Sequence, residues 1–265
     1  MSWSRLASWG CSTNAESVMK ILTVYAHPDP KSFCHAVLQQ FTKGLEDAGH
    51  TNEVIDLYAI GFDPVLRTQD FPNWLPDENA PDVVEKVVKE RVFAGNARLV
   101  QRMIMWSMFR NKSPLEVVTL LRKRGPKDVR EQQEKVARAQ ALVFISPVWF
   151  VGFPAILKGW IERVFTLGFA FSLTSAGWRG DIRGRLPLLK HDKALIINTT
   201  IFNEEAYQDG LGEAMKRLID EFTLHYPGIR TVEHVYFYAV NMADEKTLQS
   251  YLERAYLLGK EFAQS

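Results

Sequence analysis

Residues 20–33 read KILTVYAHPDPKSF, and this stretch decides the fold. Its first seven positions are a short run of apolar and β-branched side chains, the pattern of a strand buried on both faces. His27-Pro28-Asp29-Pro30 must leave that strand as a loop, because two prolines in three positions neither continue a helix nor pair in a ladder. Ser32 then stands where a helix N-cap is wanted, ahead of an amphipathic stretch over 33–48 that Gly49 stops. A second strand over 52–57 follows directly. Strand, loop, helix, strand is the opening of a parallel α/β unit.

Outward from that unit the pattern repeats. Buried strands are expected at 141–146 (ALVFIS), 194–199 (ALIINT) and 232–239 (VEHVYFYA), with helices over 154–167, 212–224 and 244–263. Five strands alternating with helices predict an α/β fold, a doubly wound five-stranded parallel sheet in the order 2-1-3-4-5. Residues 60–81 hold four prolines and form a long connection. Residues 82–140 have a helical pattern, broken near Gly95, Ser113-Pro114 and Gly125-Pro126. We expect residues 1–18 to be a loosely ordered extension, and 19–265 to be one domain with a helical insertion over 82–126.

Composition narrows the function classes. The 265 residues are 46% apolar and 24% charged, which excludes a disordered or fibrous chain. A net charge of +1 gives the whole molecule no bias toward nucleic acid. The average conceals a block over 82–130 with twelve basic against five acidic residues. Within it, 98–124 mixes basic residues with Met103, Ile104, Met105, Trp106, Met108 and Phe109. That segment reads as a helical hairpin packed on the body, as a cap over a pocket, or as a peripheral membrane contact. Two cysteines, Cys11 and Cys34, make neither a metal site nor a disulfide framework, and the six histidines form no metal cluster. With no signal-peptide pattern and no 18-residue apolar run, a cytoplasmic location is expected.

In a doubly wound sheet, ligands sit beyond the strand C-termini at the switch point. Three loops leave there, at 27–34, 147–154 and 199–207. The first leads into a helix N-terminus, whose unpaired amides favour an anion; His27, Lys31 and Ser32 add donors suited to phosphate. A merely capped helix after a proline turn explains it equally well. In the second, Trp149 and Phe150 are large aromatics at a strand end, either core residues or a wall for a flat ring. In the third, hydroxyls and amides would meet the polar edge of such a ring, and Tyr207 would donate to a developing anion.

The stretch 154–165, PAILKGWIERVF, resembles the signature of NAD(P)H:quinone oxidoreductases, the DT-diaphorase family of the flavodoxin-like superfamily. AHPDPKSF at 26–33 is similar to that family's first flavin-phosphate loop, and the likeness spans roughly 20–75 and 127–265. The resemblance implies FAD, with FMN as the other flavin the fold accepts, and NAD(P)H as co-substrate. It also implies a quinone acceptor and a homodimer with active sites at the subunit interface. Carried over by motif, His27, Ser32, Phe33 and Cys34 would line the FAD phosphates and ribityl chain. Pro147, Val148, Trp149, Phe150 and Val151 would border the ring system, and Thr200, Ile201, Phe202 and Tyr207 would meet its pyrimidine end. Lys246 would be a basic FAD contact.

This chain also departs from that pattern. Where the family places a histidine six residues beyond the tyrosine, it has Glu213, a second candidate for the catalytic proton. Two pocket tyrosines fall on Phe171 and Leu173, which with Trp149 would make a more apolar substrate pocket. A diglycine is replaced by Ile201-Phe202. The function expected is two-electron hydride transfer from NAD(P)H through FAD to a quinone. The rivals are an azo- or nitroreductase of the same fold and a regulatory subunit of a potassium-efflux transporter.

Overall fold

The computed structural model describes residues 18–93, 103, 106–107 and 109–263. The expected extension over 1–18, apart from Val18, lies outside the described residues, as do Gly95 and much of the basic segment after it.

In chain order the elements are β1 (Lys20–Tyr25), α1 (Phe33–Asp47), β2 (Thr51–Asp56), α2 (Pro81–Val87), α3 (Pro114–Arg122), α4 (Lys127–Arg138), β3 (Ala141–Pro147) and α5 (Ala155–Val164). Then come β4 (Phe171–Leu173), β5 (Arg185–Pro187), β6 (Lys193–Thr199), β7 (Thr231–Phe237) and α6 (Glu245–Lys260). Five parallel strands form one sheet in the order β2-β1-β3-β6-β7. The sequence pattern gives no sign of β4 and β5, which pair antiparallel as a separate two-stranded sheet. Each has three residues, too few for a period, and β5 ends on a proline. With β4 and β5 counted, the parallel sheet reads 2-1-3-6-7 in chain numbering.

Helices cover both faces, and this is why the central strands are continuous apolar runs. On one face Leu22, Val24, Leu142, Phe144, Ala194 and Ile196 pack with Leu157, Trp160 and Val164 of α5. On the other, Ile21, Val143, Ile145, Leu195 and Ile197 pack with Val37, Phe41 and Leu45 of α1 and Ala255 of α6.

Helices α1 and α6 cross on two glycines. A Cβ on Gly44 would lie 2.1 Å from the Tyr256 carbonyl oxygen, and one on Gly259 would lie 2.2 Å from that of Phe41. Both clashes are with backbone, which cannot turn aside. Gly44→Val is expected to destabilise the fold by about 1–3 kcal/mol. Urea unfolding measures this, and an unchanged midpoint would show that the helices do not approach so closely.

The basic segment carries its own small core, in which Val84 and Val88 pack with Phe109, Val117 and Val118. The break expected at Ser113-Pro114 is the start of α3: Ser113 accepts from the Glu116 amide, Glu116 reaches back, and Pro114 opens the helix. Met103 and Trp106 are exposed. The helix expected over 212–224 is α-helical only over Gly212–Met215, then widens into π turns over Lys216–His225, with Asp220 buried.

Candidate functional site

The register brings three strand ends level. Tyr25 pairs with Ile145, Ser146 with Asn198, and Pro147 with Thr199. The loops after β1, β3 and β6 therefore leave from a single edge of the sheet.

The first loop is a self-bonded turn. Asp29 Oδ1 accepts from the Lys31 amide at 2.8 Å, and the Asp29 amide donates to His27 Nδ1 at 3.0 Å. Ser32 Oγ accepts from the His35 amide at 3.2 Å and caps α1. The amides of Phe33 and Cys34 open that 15-residue helix, where no intrahelical acceptor exists. Beneath them the Tyr25 hydroxyl is buried without a hydrogen-bond partner. Burial pushes its phenol up, with Ser32 beside it opposing.

Cys34 lies on the inner side of the same turn, close to Thr199. Burial pushes its thiol up to about 12, with the Thr199 hydroxyl acting the other way. A raised thiol pKa leaves little thiolate at pH 8. In a Cys11→Ser variant, native Cys34 should react with iodoacetamide on the order of a thousandfold more slowly than in urea. A native rate within tenfold of the unfolded one would place the thiol within reach of solvent.

The second loop is held tightly and bent sharply. The Val148 amide donates to the Thr199 carbonyl at 2.9 Å, and the Trp149 amide to that of Gly152 at 3.0 Å. Between them Phe150 (φ 49°) and Val151 (φ 63°) are left-handed without being glycine. Such a conformation costs on the order of 1–3 kcal/mol per residue, most for a β-branched one, and tends to mark function. The turn leaves the Phe150 ring fully exposed and Trp149 and Val151 partly so. The Trp149 ring lies 5.9 Å from that of His27, joining the first two loops.

The third loop is pinned to the segment after β7. The Thr200 amide donates to the Phe237 carbonyl, Val240 to Thr200, and Ala239 to Phe202. Ile201 and Phe202 are exposed. Tyr207 is buried, its ring 4.8 Å from Tyr236 and 5.2 Å from Tyr238. The Thr200 hydroxyl beside it donates to the Phe202 carbonyl at 2.7 Å, and the Tyr207 hydroxyl has no partner of ordinary geometry. Burial pushes this phenol up, with Thr200 opposing.

The edge thus offers a helix N-terminus, two buried phenols without partners, and exposed aromatic and aliphatic side chains. That combination suits a flat ring with an anionic arm. Four candidates stand apart. Phe171 packs against Trp74 and Tyr226, and Leu173 lies beside Gly177, none of which belongs to the three loops. Glu213 is exposed, and Lys246 is exposed on the first turn of α6. The sequence reading missed Tyr25, Tyr236 and Tyr238 as site neighbours, although the alternation in VEHVYFYA places the last two on one face.

A family model described as flavodoxin-like fold matches residues 19–257. The chain belongs to that family. NAD(P)H dehydrogenase [quinone] 1 of Cavia porcellus is 28% identical over 228 residues, 84% of this chain and 70% of that protein. Ribosyldihydronicotinamide dehydrogenase [quinone] of Mus musculus is 26% identical over 250 residues, 91% of this chain and 93% of the relative. Among solved structures, NAD(P)H:quinone oxidoreductase from Methanothermobacter marburgensis is 27% identical with a TM-score of 0.64, covering 93% of this chain and 98% of its own.

In this flavodoxin-like chain the stretch 154–165 serves packing. A Cβ on Gly159 would lie 2.3 Å from the Pro64 carbonyl oxygen, so only glycine lets the 60–81 connection cross α5. Trp160 is fully buried and donates to Gln132 Oε1 at 3.2 Å. Arg163, 2% exposed, binds Asp70, Asp128 and the Asp63 carbonyl.

Proposed function

We propose that the chain is a flavin-dependent NAD(P)H:quinone oxidoreductase that binds FAD at the edge formed by its three loops, a cradle FMN also fits. The observation that carries this reading is the left-handed turn at Phe150 and Val151. It holds aromatic side chains out beside the start of α1, in a chain whose relatives are named quinone dehydrogenases. When bound, the flavin would supply the two-electron hydride chemistry between NAD(P)H and the acceptor.

The chain's own residues bind and orient. The amides of Phe33 and Cys34, with Ser32 and His27, would hold the phosphates through the positive end of α1. Pro147, Val148, Trp149, Phe150 and Val151 would flank the ring, and Thr200, Ile201 and Phe202 its pyrimidine edge. Tyr207 keeps an unspent donor that an acceptor on the ring would satisfy, in a water-poor setting where one hydrogen bond counts for more. Glu213 lies in solvent, which favours a solvated residue over a proton donor. Lys246 would reach the cofactor only from the rim.

We further propose a homodimer. Phe150, Val151, Ile201, Phe202 and Met242 are exposed around the site edge, and a second copy would cover them. The same partner would bring the hairpin carrying Phe171 and Leu173 to the acceptor side. The segment 82–126 is then a helical insertion on the flavin core, packed about its own cluster. That packing supports a hairpin against the body over a membrane contact for 98–124, part of which lies outside the described residues. Among the described residues no helix is long and apolar enough to cross a membrane.

Reconstitution tests the cradle. Flavin-free protein should take up one FAD per chain with quenched flavin fluorescence. Failure to bind either FAD or FMN would overturn the reading.

A further inference from the structure

A buried polar chain runs beneath the third loop. Asn198 Nδ2 donates to the Ser146 carbonyl at 2.9 Å and lies 3.2 Å from Ser146 Oγ. Only an amide nitrogen can face that carbonyl, so Asn198 turns Oδ1 to His234 Nε2, 2.8 Å away. Nε2 must then carry a proton; the network, not an observed hydrogen, assigns it. His234 Nδ1 lies 2.9 Å from Asp220 Oδ1 and 3.2 Å from Tyr236 Oη. The two side chains are 5% and 6% exposed. Two lone pairs cannot face each other at that distance in so dry a place, so a second proton lies between imidazole and carboxylate.

The imidazole also stacks. Its ring is 4.1 Å from Tyr236 at 19°, and Tyr236 is 5.8 Å from Tyr238 at 15°. Tyr207 tilts against both tyrosines. Burial, and then the Asp220 carboxylate, pushes the Tyr236 phenol up, so a neutral ring faces the imidazole. A cation on an aromatic face is attractive. The Tyr207 hydroxyl has no partner of ordinary geometry, so packing orients its ring, and Tyr236 and Tyr238 are the aromatic faces of that packing.

We propose that His234 is a positioning residue for Tyr207, held doubly protonated by Asp220 and Asn198 and acting through Tyr236. The role rests on Tyr207 facing bound flavin, but the protonation does not. Long-range 1H–15N spectra of the histidine rings, in flavin-free and FAD-loaded protein at pH 7.5, test it directly. Both His234 nitrogens should appear protonated, and Asp220→Asn should return Nδ1 to the unprotonated range. An unprotonated Nδ1 in the native protein would overturn the proposal.

In anaerobic stopped flow, His234→Gln should slow flavin reduction by NADH about tenfold, with KM and flavin affinity within about twofold. An unchanged rate would remove the positioning role and leave the reductase reading standing. If NADH leaves the native protein's flavin oxidised, the reductase reading fails and the positioning role falls with it, whatever the ring spectrum shows. Should the glutamine variant not fold, Asp220→Asn is expected to show the same tenfold loss, and an unchanged rate in it overturns the role.

Discussion

Arg163→Met is expected to lower the free energy of unfolding by about 3–5 kcal/mol, the cost of breaking a buried ion pair from one side. Arg163 Nε and Nη2 both donate to Asp70 Oδ1, at 3.1 and 3.0 Å, while Nη1 donates to Asp128 Oδ2 at 2.7 Å and the Asp63 carbonyl at 2.8 Å. Asp70 is fully buried, its other oxygen taken by the Arg67 amide at 2.7 Å. Without the guanidinium that carboxylate keeps its desolvation cost and loses its counter-charge. Adding Asp70→Leu should recover most of the loss, because removing both charges removes the penalty. Urea denaturation of the single and double variants measures both effects. A loss below about 1 kcal/mol in the single variant would show that the pair is hydrated.

Tyr207→Phe is expected to separate function from stability. If the phenol donates to charge that develops on bound flavin, its removal should slow reduction by NADH about tenfold, or ~1.4 kcal/mol of lost stabilisation. Stability should hold or rise by up to about 1 kcal/mol, because a buried hydroxyl without a partner is itself a cost. Stopped flow and urea denaturation give the two numbers. A rate within twofold removes the donor role; a large loss of stability shows that the hydroxyl is bonded within the protein.

Much of the fold is legible because burial on both faces leaves a plain signal. The runs over Ala141–Pro147 and Lys193–Thr199 are buried at every position, and residues 141–145 and 194–197 within them are wholly apolar. The loop at 27–32 is legible from its prolines, and the start of α3 from Ser113 and Pro114. What escaped has physical reasons. Strands β4 and β5 are too short to show a period, and the π turns over Lys216–His225 leave no mark in an amphipathic pattern.

The convergence of the three loops follows from the order of elements, but the chain beneath them does not. Asn198, His234 and Asp220 lie far apart in sequence and meet only through the β6–β7 register and the π-helical stretch. In VEHVYFYA the histidine reads as one more strand residue. Phe171 and Leu173, placed in the pocket by motif alone, sit beside Trp74, Tyr226 and Gly177, and the proposed second copy would bring them to the acceptor side.

An anaerobic titration of FAD-loaded protein with NADH, followed by 1,4-benzoquinone, tests hydride transfer through the flavin. One equivalent of NADH should bleach the flavin absorbance, and one equivalent of quinone should restore it. Flavin that stays oxidised with excess NADH or NADPH, or that bleaches and is not restored by quinone, would contradict that transfer.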